Sequence, residues 1–348
     1  MIFGMRKFTI LAILSIVFFT SKTFAQDPVF SQFYNAPLYL NPAISGDFED
    51  FFVNISHRSQ YRSLVFPYNT TQVSMIAPLY QDKHRRPEGH LGDVGVSMYT
   101  DVAGEGDNFK STGANASFAY NVQLATDNIN RLTFALQTGI INRRINTDVL
   151  KWGEQYSDLI GFDPNVVPAD LDLIKNSTIL DISAGVFWRY YSSVDSRKIR
   201  SIYAGYAAGH LNHADQSVIE GQKDNLPLLH KINGGIVFAL SEKFTLSGNF
   251  LTLLQDWENQ TNIGVYAGYK LPVNSSGVWS NMITRVGVWH RWKDSFIASV
   301  EFLTDNLQLG FSYDWNVTSL KYNNRGTGAY EISIGYKFFQ PAPPKVLY

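Results

Sequence analysis

From about residue 50 onward, large apolar side chains recur at every second position rather than every third or fourth. In "NLQLGFSYDWN", Leu307, Leu309, Phe311, Tyr313 and Trp315 alternate with Gln308, Gly310, Ser312 and Asp314. In "AYEISIGYKFF", Tyr330, Ile332, Ile334, Tyr336 and Phe338 share one face, leaving Glu331, Ser333, Gly335 and Lys337 on the other. "RLTFALQTGI" repeats the pattern, with Leu132, Phe134, Leu136 and Ile140 set against Thr133, Ala135, Gln137 and Gly139. A period of two is that of a β-strand, whose successive side chains point to opposite faces. Such segments fall at 51–60, 69–78, 91–101, 110–122, 130–142, 178–190, 199–209, 230–240, 244–253, 260–270, 281–292, 296–304, 307–316 and 328–339.

The polar face is built from Gly, Ser, Asn and Gln with scattered charge, not from the large side chains that would fill a soluble sandwich. Most segments have the length that crosses a bilayer as a tilted strand. Trp188, Tyr190, Tyr313, Trp315, Tyr336 and Phe338 collect near strand ends, where interfacial aromatic girdles belong. The pattern predicts an all-β fold, an outer-membrane transmembrane β-barrel of about 14 antiparallel strands over 49–340, followed by a short tail at 341–348.

Turn parity supports closure, because opposed residues of an antiparallel pair share a face. Leu240 and Phe244 agree across Ser241-Glu242-Lys243, Thr304 and Leu307 across Asp305-Asn306, and Trp292 and Phe296 across Lys293-Asp294-Ser295. If the mature chain starts in the periplasm, the long connections 143–177 and 210–229 face outward. The turns 241–243 and 305–306, and the basic "DKHRRPEG", then face the periplasm, with 293–295 as a short external exception.

Composition adds the compartment. "MIFGMRKFTILAILSIVFFTSKTFAQ" reads as a secretory signal over 1–25: Arg6 and Lys7, an apolar run, then Thr23-Phe24-Ala25 before Gln26. No cysteine is present, which excludes a disulfide framework and thiolate chemistry, and a net charge of −1 argues against a nucleic-acid partner. The apolar strand faces imply outer-membrane lipid as the surrounding partner.

Chemistry-bearing patterns are sparse, and neither a catalytic group nor a cofactor is expected. His210 and His213 form H-x-x-H in a Gly/Asn/Asp-rich loop without a matched third ligand, so no metal is expected. Asp163, Asp170 and Asp172 lack the spacing of a calcium loop, and "GEGDN" lacks the Lys-Ser/Thr of a phosphate loop. By parity Arg285 and Arg291 face the lumen on one strand and Glu301 on the next, with Gly287 opposite Glu301 and Arg285 on the diagonal. A structural lumen network is expected there in preference to a selectivity filter.

The stretch "QDPVFSQFYNAPLYLNPAISG", within 26–48, is different. Pro28, Pro37 and Pro42 block a helix or central strand, yet Phe30, Phe33, Tyr34, Leu38, Tyr39 and Leu40 are too apolar to hang in water. The stretch must dock, either inside its own barrel or on a partner. Together with "HRSQYRSLVFPYNTTQVSM" it resembles the opening of the PorP/SprF family of the Bacteroidota type IX secretion system. The likeness rests on Gln26, Asp27, Pro28, Phe30, Ser31 and Gln32; on Pro37 to Ala43 and Gly46; and on Gln60, Arg62, Pro67, Tyr68 and Thr70. Phe33, Ala36 and Ser45 depart mildly, and "LKWGEQYSDLIGFDP" resembles a later loop of the family.

The resemblance implies a non-catalytic outer-membrane barrel that partners secretion components, among them a periplasmic motor and a peptidoglycan-linked protein. Alternatively, it serves a large secreted adhesin with a type B C-terminal domain in gliding-associated export or attachment. It also makes Asp27, Pro28, Phe30, Ser31, Gln32, Tyr34, Pro37, Tyr39, Asn41 and Pro42 candidate partner-binding residues. The alternative from another class is a diffusion channel or hydrophobic-solute transporter.

Overall fold

The computed structural model describes residues 29–61, 67–81, 89–124, 130–192, 198–271, 281–318 and 327–338. The signal segment, Asp27, Pro28 and most of the basic turn lie outside them. Fourteen strands close into a barrel: β1 (Phe51–Gln60), β2 (Tyr68–Tyr80), β3 (His90–Ala103), β4 (Phe109–Gln123), β5 (Asn130–Ile145), β8 (Ser177–Tyr191), β9 (Ile199–Gly209), β10 (Leu229–Ala239), β11 (Phe244–Gln255), β12 (Glu258–Lys270), β13 (Ile283–Arg291), β14 (Ser295–Leu303), β15 (Leu307–Asn316) and β16 (Thr327–Phe338). The two remaining strands, β6 (Tyr156–Ser157) and β7 (Gly161–Phe162), form a small hairpin within the loop after β5.

Every barrel strand pairs antiparallel with its neighbours, and β1 closes the ring on β16 from Phe51↔Phe338 to Gln60↔Ala329. The barrel therefore has no free edge, the condition for a sheet in hydrocarbon. No described helix is long and apolar enough to cross a membrane, so crossing falls to the strands.

The apolar face points outward. Leu136, Ile140, Val286, Val288, Phe311 and Ile334 are exposed, whereas Ser56, Gln72, Ser74, Ser312 and Glu331 are buried inside. Such an inverted protein loses stability in water and gains it in a bilayer. At the end carrying the long loops, residues 146–176 and 210–228 tie together through the Ile174↔Ile219 bridge and the Lys175 N–H to the Val218 carbonyl at 2.8 Å. Within this layer the exposed Asp215 carboxylate accepts the N–H groups of Ser217 and Asp224, which lowers its pKa below the ordinary value.

Two of the three turn registers hold as expected: Leu240 N donates to the Phe244 carbonyl at 2.9 Å, and Thr304 N to that of Leu307 at 2.8 Å. The third shifts. Arg291 pairs with Ser295 and His290 with Phe296, so Trp292 is in the turn and not opposite Phe296. The shift is two residues, which preserves the faces but changes the neighbours: Arg285, not Gly287, lies directly opposite Glu301, and Gly287 faces Ser299. The cause is Asp294, whose carboxylate takes Arg291 and the Ser295 hydroxyl, both at 3.1 Å, and closes the turn one residue earlier.

The stretch before β1 is the second correction. Pro37 and Pro42 do not exclude helical turns; each begins one. A 3-10 turn (Phe33–Asn35) leads to the single-turn helix α1 (Pro37–Leu40) and a further 3-10 turn (Pro42–Asp47). At a first helical position the missing N–H costs nothing, and the fixed φ suits the turn.

Strand parity yields a direct test. Phe311→Arg places a charge on the lipid face and should cost about 2–4 kcal/mol near the midplane. Gln308→Arg, on the inner face of the same strand, should be tolerated far better. Urea unfolding in lipid vesicles compares them, and equal losses would contradict the assigned faces.

Candidate functional site: the plugged lumen

Residues 29–48 thread the lumen from the long-loop end to the short-turn end, and three sets of contacts hold them there. The first is a clamp near the long-loop end. The Glu331 carboxylate accepts two backbone N–H groups, from Ser31 at 2.6 Å and from Gln32 at 2.9 Å. The Ser31 hydroxyl donates to Asp314 at 2.8 Å and accepts from Arg291 at 2.9 Å and from Arg58. Arg58 pairs with Asp314 at 2.8 Å and with Glu331 at 3.6 Å, and Arg291 reaches Asp314 at 3.2 Å. Two guanidinium groups and two carboxylates from β1, β13, β15 and β16 thus meet around one serine, all of them buried.

The sheet register builds this clamp before the plug is considered. Arg58 and Glu331 are direct cross-strand partners, and Ser312 is Glu331's partner on the other side. The Gln32 amide donates to Ser312 at 3.3 Å and accepts from Ser333 at 3.1 Å, so the plug reads the inner face of β15–β16 residue by residue.

The middle set is aromatic. Phe33 meets Trp289 edge-on at 5.2 Å, and Tyr34 stacks over the same indole while its hydroxyl bonds that of Tyr266. Phe33 and Leu40 pack with Leu251, Tyr266, Trp289 and Ile297 into one apolar cluster, and Leu38 joins Phe52 and Ile76 in another. Lys231 donates to the Tyr39 carbonyl at 2.6 Å and lies 4.7 Å above its ring. Asn41 is fully buried: its amide donates to the carbonyls of Val186 at 3.1 Å and Tyr206 at 3.3 Å, while its oxygen accepts the Ala43 N–H at 2.9 Å.

The strand glycines make room for this close approach. A Cβ at Gly95 would lie 2.7 Å from the Leu38 side chain, and one at Gly185 would overlap the Asn41 amide oxygen. At the short-turn end, Asp47 pairs with Arg189 at 2.7 Å, Glu49 pairs with Arg131 at 3.6 Å, and Arg131 also donates to the Gly46 carbonyl. A polar vestibule of about 650 Å³ remains beside this end, lined by Tyr34, Arg189, Tyr203, Asn249, Tyr266 and Arg285 among others.

The candidate residues are therefore distributed as follows. Phe30, Ser31, Gln32, Pro37, Asn41 and Pro42 are buried, Tyr34 and Tyr39 are partly buried, and all turn toward the chain's own wall. Of the two docking places the sequence left open, its own barrel and a partner, the wall of the barrel is the one these side chains contact. Arg285 and Glu301 pair directly, while Arg291 joins the Ser31 clamp instead. Sequence reasoning did not single out Arg58, Asp314 or Glu331; their signal was charge on the polar face of three strands. His210 bonds Asp181 at 2.8 Å and His213 approaches the Leu226 carbonyl at 3.2 Å, so the two imidazoles serve different partners.

A closed, inverted barrel carrying its own N-terminal segment as a lumenal plug defines the class: an outer-membrane β-barrel. Sequence comparison gives the family. Residues 22–336 match the family described as type IX secretion system membrane protein PorP/SprF, and the chain belongs to it. No curated protein matches the sequence. Among solved structures, the chain is similar to the Ralstonia pickettii toluene transporter TbuX, at 11% identity and TM-score 0.49 over 88% of this chain and 94% of that one. It is similar also to the CymD monoaromatic hydrocarbon channel, at 12% identity and TM-score 0.46 over 88% and 93%.

Asn41 offers a test of how the plug is held. Asn41→Ala strands wall carbonyls and removes a cap, at a cost of about 1–3 kcal/mol. Asn41→Asp adds a carboxylate facing those carbonyls and should loosen the plug further. Limited proteolysis within residues 29–48 should rise from wild type through Ala to Asp while the barrel stays heat-modifiable. Unchanged cleavage in Asn41→Asp would contradict the assigned contacts.

Proposed function

We propose that this barrel serves type IX secretion as a sealed, non-catalytic binding component. It would engage other secretion components or a large secreted surface protein and would not pass solute through its lumen. The observation that carries this reading is the plug itself. A diffusion channel needs a continuous aqueous path, whereas here residues 29–48 are held at one end by hydrogen bonds into a buried charge network, in the middle by aromatic packing and at the other end by an ion pair. Opening the lumen strips a buried charge network of the Ser31 hydroxyl and of the Ser31 and Gln32 N–H groups, and hydrogen bonds to buried charged groups are costly to lose.

In this reading the candidate partner contacts act where the plug meets a mouth of the barrel. Phe30 and Tyr39, which line a pocket at the long-loop end, are the proposed contributors from the N-terminal stretch. The family's two kinds of partner, periplasmic and surface-exposed, correspond to the barrel's two mouths.

The test is electrical and biochemical together. In planar bilayers the full mature chain should show no stable conductance steps, and deletion of residues 26–46 should produce large ones. The full chain should also co-purify with type IX components or with a secreted adhesin. Porin-like conductance from the intact chain, without such partners, would favour the channel reading.

A further inference from the structure

Between the plug and the wall of β10–β12 lies a second, mainly apolar pocket. Its floor is Phe30, Phe33, Leu40, Leu229, Leu251 and Leu253, and its cavity volume is about 60 Å³, far smaller than that of the vestibule. Its position follows from the strand ends. Leu229 begins β10 just after the long loop 210–228, and Gln255 and Glu258 flank the turn joining β11 to β12 at that same end. Long loops mark the extracellular side of such barrels, so the pocket opens toward the cell surface.

Two features indicate what it holds. The first is that it leads nowhere. Phe33 and Leu40, which form part of its floor, belong to the cluster with Tyr266, Trp289 and Ile297, and this packed layer separates the pocket from the vestibule at the short-turn end. A molecule entering from outside meets a closed end, so the pocket is built for retention and not for transit. The second is its rim, where the side-chain amides of Gln255 and Gln260 lie on the inner face. The Gln260 Nε2 is buried without a hydrogen-bond partner among the described residues. A hydrocarbon filling the pocket would leave the Gln260 donor unsatisfied, whereas a peptide carbonyl would satisfy it. Lys231 and Glu258 put one charge of each sign at the site, so no strong net charge is demanded of the occupant.

We propose that this pocket receives a single large apolar side chain from an extended peptide segment of a surface-exposed partner, with the peptide main chain meeting the amide rim. The proposal rests on the reading of the barrel as a partner-binding component and names the contact on its outer side. The anchor is aromatic or leucyl, because the floor offers carbon on nearly every side and room for about one such side chain. A buried anchor in a desolvated pocket ringed by polar groups is the usual form of an interface hot spot.

The test uses the mature chain in lipid nanodiscs and dye-labelled, end-blocked pentapeptides Gly-Gly-X-Gly-Gly, with X as Phe, Leu, Ala or Asp. The Phe and Leu peptides should bind saturably, and the Ala and Asp peptides at least about tenfold more weakly. Leu253→Trp, which fills the pocket, should abolish binding while heat-modifiability is retained. Gln260→Leu, which removes the unpartnered donor and spares the floor, should weaken the Phe peptide several-fold and leave free indole unaffected. Failure of the Phe and Leu peptides to bind the folded wild-type barrel would overturn the proposal. So would saturable indole binding with no preference for the peptide, which would make the pocket a solute site. Either result is independent of conductance: a barrel that fails here but stays electrically silent loses only the pocket assignment, not the sealed-barrel reading.

Discussion

The structure depends on one carboxylate accepting two backbone N–H groups. Glu331 is buried inside the barrel, where an isolated charge is very costly, and its register partner Arg58 neutralises it only in part, at 3.6 Å. The N–H groups of Ser31 and Gln32 complete its coordination. Arg58, Arg291 and Asp314 likewise converge on the Ser31 hydroxyl. The plug supplies the clamp's central hydrogen bonds, and the clamp in turn fixes the path of the plug's first residues. The polar inner face of β13–β16 and the aromatic N-terminal stretch are therefore halves of one device.

This division explains what could be read from the sequence. Each barrel strand was legible because alternation is local: Leu309, Phe311 and Tyr313 declare their face without knowledge of any neighbour. The hairpin β6–β7 was not, since two-residue strands carry no period. The β13–β14 register slipped because Asp294 is shared between Arg291 and Ser295, a contact that turn chemistry alone does not announce. The extension of β11 and β12 to a turn at Asp256-Trp257 was hidden by the polar run that follows Leu254.

The plug shows the sharper limit. That Phe30 to Leu40 had to dock somewhere followed from hydrophobicity, but the docking partners did not. Ser31 meets Glu331 across 300 positions of sequence and Asn41 meets Val186 across 145, separations at which no pattern along the chain carries information. The prolines misled for a different reason: read as breakers, Pro37 and Pro42 in fact begin the turns that let so short a segment fold compactly inside a narrow lumen. The glycines Gly95 and Gly185, where a Cβ would meet Leu38 and Asn41, are the wall's side of the same fit.

The functional consequence is that the barrel's centre is occupied and its mouths carry the remaining surface. The central claim, that Glu331 holds the plug through the Ser31 and Gln32 amides, is tested most directly by hydrogen exchange at those two positions. In the wild-type barrel both amides should be protected nearly as strongly as those of the barrel strands. In Glu331→Ala protection should fall over residues 29–35 while β1–β16 keep theirs. Rapid exchange of Ser31 and Gln32 in the wild-type protein would contradict the account.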